Sequence, residues 1–129
     1  MKLYGIGTDI VNIKRITAII KKNNLFKKKV FSVNEIKFCD KKNNIYSCYA
    51  KRFAAKEAFS KALGTGVSSG LIFKEIIVQN DKKGKPSIEL CGKSRQIVKT
   101  LLNKKQFNIL LSMSDDKPFA TAVVIISFK

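Results

Sequence analysis

The chain has 129 residues, room for one compact domain at about 100 to 200 residues per domain. Hydrophobic residues make up 45% of it and charged residues 27%, which excludes global disorder. Lysine and arginine total 26 against 9 acidic residues, a formal charge of +17 that points to a polyanionic or acidic partner, while the absence of histidine excludes Ser-His-Asp, Cys-His and His-zinc chemistry.

In chain order, residues 3–11 (LYGIGTDIV) are short, Gly-bearing and β-branched, and predict a strand ending near Asp9. Asn12 can cap a helix in which Ile13, Ile16, Ile19 and Ile20 form an apolar stripe, with Lys14, Arg15, Lys21 and Lys22 largely off it. Ser32-Val33-Asn34-Glu35 is a capping-box pattern that starts a second helix, running to about Lys41. Residues 45–63 are Ala-rich with Tyr46, Tyr49 and Phe53 at helical spacing and Gly64 at the stop, so they predict the longest helix. A Gly-rich loop (64–70), a strand (73–79), a turn (80–86) and a partner strand (87–90) follow. A helix between Gly92 and Lys104 precedes two strands, 107–113 and 119–128. The order implies one domain over 1–129 of α+β class, a largely antiparallel sheet with a long central helix. The last strand is apolar on both faces, which implies cover on both sides, a neighbouring subunit being one source.

Two carboxylates stand in otherwise apolar surroundings, Asp9 and Glu57. Period two puts Gly5 and Gly7 on the face of Asp9, and the missing side chains leave room for something to approach it. The plainer reading makes Asp9 a cap for the following helix. Glu57 shares a helix face with Phe53 and Lys61, and its plainer reading is an ordinary Glu57–Lys61 helix pair. A carboxylate pair without His or usable Cys suits magnesium, which takes one or two carboxylates and completes its shell with water and phosphate oxygens. Lys61 and Gly64-Thr65-Gly66 would then add charge and backbone N–H groups to the same phosphate. The loop alone also reads as a helix C-cap, and Tyr46, Tyr49 and Phe53 read as core. Cys39, Cys48 and Cys91 are odd in number, lack C-x-x-C spacing and read as buried free thiols in a reducing compartment. No apolar run reaches the roughly 18 residues of a membrane span, so a cytoplasmic protein without membrane contact is expected.

The stretches Gly5-Ile6-Gly7-Thr8-Asp9-Ile10-Val11 with Ile13-Lys14-Arg15-Ile16, and residues 52–66 (RFAAKEAFSKALGTG), resemble the two signature segments of the holo-acyl-carrier-protein synthases, the short bacterial branch of the 4'-phosphopantetheinyl transferases. The resemblance spans essentially the whole chain, including Gly84-Lys85-Pro86 and Ser112-Met113-Ser114. It implies transfer of 4'-phosphopantetheine from coenzyme A to a serine of apo acyl carrier protein for fatty acid biosynthesis, with adenosine 3',5'-bisphosphate released. It further implies Mg²⁺ on Asp9 and Glu57, and Lys61 neutralising charge as the anhydride breaks. Coenzyme A contacts are implied for Arg52, Lys61, Gly64, Thr65, Gly66, Lys85 and Pro86. Arg15, with Lys21 and Lys22 beside it, would bind the acidic carrier protein. The family is typically a homotrimer, with Asp9 of one chain meeting Arg52, Glu57 and Lys61 of another. Many relatives place His where this chain has Asp115, which leaves Lys85 or Lys117 as substitute contacts for the 3'-phosphate. The competing readings are a small basic nucleic-acid-binding protein and a transferase acting on carrier domains of larger synthases.

Overall fold

A computed structural model of the chain describes residues 2–64 and 69–129. Strand β1 (Lys2–Asn12) is followed by helices α1 (Ile13–Lys22), α2 (Asn24–Val30), α3 (Val33–Asp40) and α4 (Ile45–Leu63). A 3-10 turn (Phe73–Glu75) leads into the hairpin β2 (Ile76–Asn80) and β3 (Pro86–Leu90), then α5 (Gly92–Leu101) and the hairpin β4 (Phe107–Asp116) and β5 (Phe119–Phe128). The fold is α+β with antiparallel pairing: a three-stranded sheet in the order β1-β5-β4 and a separate β2-β3 ribbon.

Each boundary has a local cause. Asn12 Oδ1 accepts from Lys14 N and opens α1. Asn23 ends α1 and, through Oδ1 on Leu25 N at 2.9 Å, starts α2. That helix is absent from the sequence reading, because seven residues carry too little periodicity to announce it. Ser32 and Glu35 close the expected capping box. Gly64, at φ 84°, ends α4 in the left-handed conformation that costs glycine nothing. The first strand runs past Asp9 to Asn12, in register with β5 as far as Phe119.

Helix α4 is the core element. Its Ala50, Ala54, Ala55, Ala58 and Ala62 are almost wholly buried, and these small side chains let other elements lie close. The room left by Gly5 and Gly7 is taken by this helix: a Cβ at Gly5 would meet the Ala62 carbonyl and one at Gly7 the Ala58 carbonyl. What approaches beside Asp9 is therefore backbone of α4, set hard against β1.

Glu35 does more than cap. Its Oε1 accepts from Ser32 N at 2.9 Å and from Lys56 Nζ at 2.8 Å, and its Oε2 accepts from Val78 N at 3.1 Å. Lys56 is fully buried and gives its other two protons to the carbonyls of Phe73 and Ile76. Burial pulls its pKa down to about 8, with Glu35 opposing. This polar knot ties α3, α4 and β2 together.

One expectation changes. Cys39 and Cys48 are joined as a disulfide between α3 and α4, and only Cys91 is free. The apolar last strand is covered on one face only within this chain: Ala120, Ala122, Val124 and Ile126 pack inward, while Val123 stays 38% exposed. Ile6, Ile10 and Leu110 lie on that same open face, 64%, 61% and 47% exposed. Among the described residues no helix is long and apolar enough to cross a membrane.

Candidate active site

From residue 52 on, the positions of α4 that reach solvent are few. Arg52, Ala54, Ala55, Lys56, Ala58, Phe59 and Ser60 are buried, whereas Phe53, Glu57 and Lys61 are not. Spacing of four makes those three a single stripe. The stripe lies beside β1 at Asp9, because Gly5 and Gly7 bring helix and strand together.

Lys61 Nζ lies 3.1 Å from Asp9 Oδ1 and 3.0 Å from the Thr8 carbonyl. The side chain of Asp9 is 14% exposed and that of Lys61 56%. Glu57 has no ion pair among the described residues, so the helix pair with Lys61 is not the arrangement found. Its carboxyl pKa is raised, first by burial and then by the charge of Asp9, with Lys61 and Arg15 working the other way. Asp9, Glu57 and Lys61 thus come together within one chain. This corrects the expectation that Asp9 meets the other two across a subunit boundary.

A half-buried carboxylate without an ion pair of its own, beside a second carboxylate, is an electrostatic deficit that a divalent ion would remove. No cluster of three or more Asp, Glu, Cys or His exists among the described residues. Two carboxylates are what Mg²⁺ uses when substrate phosphates fill the rest of its shell, so the donor set fits that ion. Lys61, exposed and on a flexible stem, can leave Asp9 for a phosphate.

Arg52 belongs elsewhere. It is five residues from Glu57, about 140° around the helix, and is 2% exposed. Its Nη2 donates to Asn80 Oδ1 at 2.6 Å and its guanidinium lies 4.3 Å from the Phe38 ring centroid, while its Nε has no hydrogen-bond partner. A cavity of about 580 Å³ opens there, with Lys42, Lys51, Arg52, Lys82, Gly84 and Asp115 in its wall. Asn80 also donates to the Gly84 carbonyl at 3.1 Å, fixing the β2-β3 turn against Arg52. Asn80 escaped the sequence reading, since an Asn in a turn looks like a turn former. Lys85 and Pro86 follow Gly84 in this turn, and Lys85 N donates to Asp81 Oδ1. Lys117 lines a different, mostly apolar cavity beside Ile13, Tyr46 and Pro118.

Of the other expected residues, Gly64 is placed at the end of α4, and Thr65 and Gly66 lie outside the described residues. Arg15 and Lys22 are exposed on α1, and Lys21 Nζ lies 5.4 Å from the Tyr46 ring centroid.

Residues 5–124 match the family model of the 4'-phosphopantetheinyl transferase superfamily. The chain is 50% identical over 129 residues to the holo-[acyl-carrier-protein] synthase of Pelagibacter ubique, covering 100% of both. It resembles the crystal structure of the synthase from Neisseria meningitidis with a TM-score of 0.85 at 35% identity, covering 97% of this chain and 98% of that one. The Helicobacter pylori synthase in complex with coenzyme A gives a TM-score of 0.81 at 36% identity, covering 95% and 99%.

Proposed function

The chain belongs to the 4'-phosphopantetheinyl transferase superfamily, and from that membership we propose that it is a holo-acyl-carrier-protein synthase. It moves 4'-phosphopantetheine from coenzyme A to a serine hydroxyl of apo acyl carrier protein and releases adenosine 3',5'-bisphosphate, in the service of fatty acid biosynthesis in the cytoplasm. The observation that carries the reading is the Asp9, Glu57 and Lys61 group on the open stripe of α4.

Asp9 and Glu57 would hold Mg²⁺, which when bound offsets pyrophosphate charge and orients the anhydride for attack. The serine oxygen attacks the phosphorus bearing pantetheine, and the bond to the adenosine-side phosphate breaks. Lys61 is positioned to meet the negative charge that collects on the leaving phosphate. One carboxylate of the pair would take the serine proton. No imidazole is needed. Gly64, with Thr65 and Gly66 after it, would contact the pyrophosphate at the end of the stripe. Arg52, Lys85 and Pro86 would hold the adenosine end.

Because Arg52 and Glu57 point to different sides of α4, one coenzyme A is better served by the stripe of one protomer and the Arg52 cavity of the next. That division supports a homotrimer with shared sites, and the open apolar face around Ile6 and Ile10 supplies a surface for it. Arg15, Lys21 and Lys22 would dock the acidic carrier protein beside the stripe, and the charge of +17 gives the encounter long-range attraction.

Release of adenosine 3',5'-bisphosphate from coenzyme A tests the reading. It should require apo carrier protein bearing its serine. Equal release with a Ser→Ala carrier would reduce the activity to hydrolysis and sink the transferase assignment.

A further inference from the structure

The transfer chemistry leaves one ion pair on the opposite side of α4 unexplained. Lys51 Nζ lies 3.1 Å from Asp115 Oδ1 in the wall of the Arg52 cavity, with side-chain exposures of 31% and 30%. A carboxylate in the wall of a basic cavity repels an anionic ligand unless a cation neutralises it. Asp115 has such a cation in Lys51, and the arrangement leaves the ammonium donors to spare, since it carries three and the pair occupies one. The adjacent residue, Arg52, is 2% exposed and has a buried Nε without an acceptor. Unsatisfied buried donors carry a cost that a ligand oxygen removes. Two cationic side chains with donors unused, in one wall, match a phosphomonoester, which carries close to two charges and three terminal oxygens.

We propose that Lys51, oriented by Asp115, is a specificity-determining residue that contacts the 3'-phosphate of the donor's adenosine and so separates coenzyme A from 3'-dephospho-coenzyme A. The inference rests on coenzyme A being the donor. The contact is a two-residue device: the acid does not touch the anion but fixes the amine that does. Lys117 lines another cavity, and Lys85, next to Gly84 in the turn, does not line this one.

Calorimetric titration of the full-length protein with adenosine 3',5'-bisphosphate and with adenosine 5'-monophosphate reads the contact without turnover. Wild type should prefer the bisphosphate by about ten-fold or more, as a charge-assisted contact implies. Lys51→Ala should cut that preference at least several-fold by weakening the bisphosphate alone, and Lys51→Arg should keep it. Asp115→Asn separates the orienting role from simple repulsion: loss of an orienting acid weakens bisphosphate binding, whereas removal of a bystander charge tightens it. In transfer assays Lys51→Ala should raise KM for coenzyme A with kcat little changed, and leave KM for 3'-dephospho-coenzyme A alone. Equal weakening of both nucleotides in Lys51→Ala, a preference that survives it, or tighter binding in Asp115→Asn would overturn the assignment. Transfer by wild type with an unaltered preference in Lys51→Ala removes this inference and keeps the function. The expected nucleotide pattern with no transfer from either donor removes the function and keeps the phosphate contact.

Discussion

Glu57 is a residue the fold holds at a disadvantage. Its pKa is raised by burial and by Asp9, so the folded state favours its protonated form. A carboxyl with a raised folded pKa loses stability as pH climbs from its ordinary value of 4.5 through its folded value. In metal-free protein Glu57→Gln should therefore raise the urea midpoint at pH 7 while transfer activity is lost, and the gain should vanish near pH 4. A lower midpoint at pH 7 would contradict this. The same causes fix the sign of the neighbours' effects. Carboxyl NMR titration of Glu57 should give a lower pKa in Asp9→Asn, which removes a like charge, and a higher one in Lys61→Ala. Asp9 and Glu57 were legible in sequence because each is an acid in apolar surroundings on a countable period. Asn80 and Lys51 were not, and Asp115 stood out only as a departure from the resemblance, since their meaning comes from partners 28 and 64 positions away in the chain.

At the scale of elements, the site depends on how closely α4 lies on β1. Gly7→Ala would drive a Cβ into the Ala58 carbonyl and should cost about 3 kcal/mol by forcing helix and strand apart. Gly64 has φ 84° and open space around it, so Gly64→Ala should cost only about 1 kcal/mol, through backbone conformation alone. Urea unfolding of the two variants checks the ranking; an equal cost would remove the close approach as the reason for Gly7. The Glu35 and Lys56 pair is the second tie. Lys56→Met leaves a buried carboxylate without its cation and should cost about 3 to 5 kcal/mol. Adding Glu35→Gln should recover part of that, and a double-mutant cycle measures the coupling. Periodicity and caps made α1, α3, α4 and the closing hairpin readable. The capping box at Ser32 hid the larger role of Glu35, and helix α2 and the Cys39–Cys48 link depend on packing between segments that no local pattern records.

At the scale of the molecule, strand alternation leaves Ile6 and Ile10 on the outer face of β1, opposite Ile125 and Thr121 of β5. A protomer alone would expose that surface to water. Ile6→Lys should leave the fold intact, judged by circular dichroism, and convert a trimer to monomers in light scattering. A wild-type protein that is already monomeric would contradict the shared site. The sequence hinted at this surface through the doubly apolar last strand, but not that the first strand forms much of it.

The central claim, transfer by the Asp9, Glu57 and Lys61 group, is tested most directly by the intact mass of apo acyl carrier protein after incubation with the protein, coenzyme A and Mg²⁺. The account predicts a gain of one phosphopantetheine, abolished by EDTA and by Glu57→Ala. A gain that persists in Glu57→Ala would contradict the placement of the chemistry, and no gain with wild type would contradict the function.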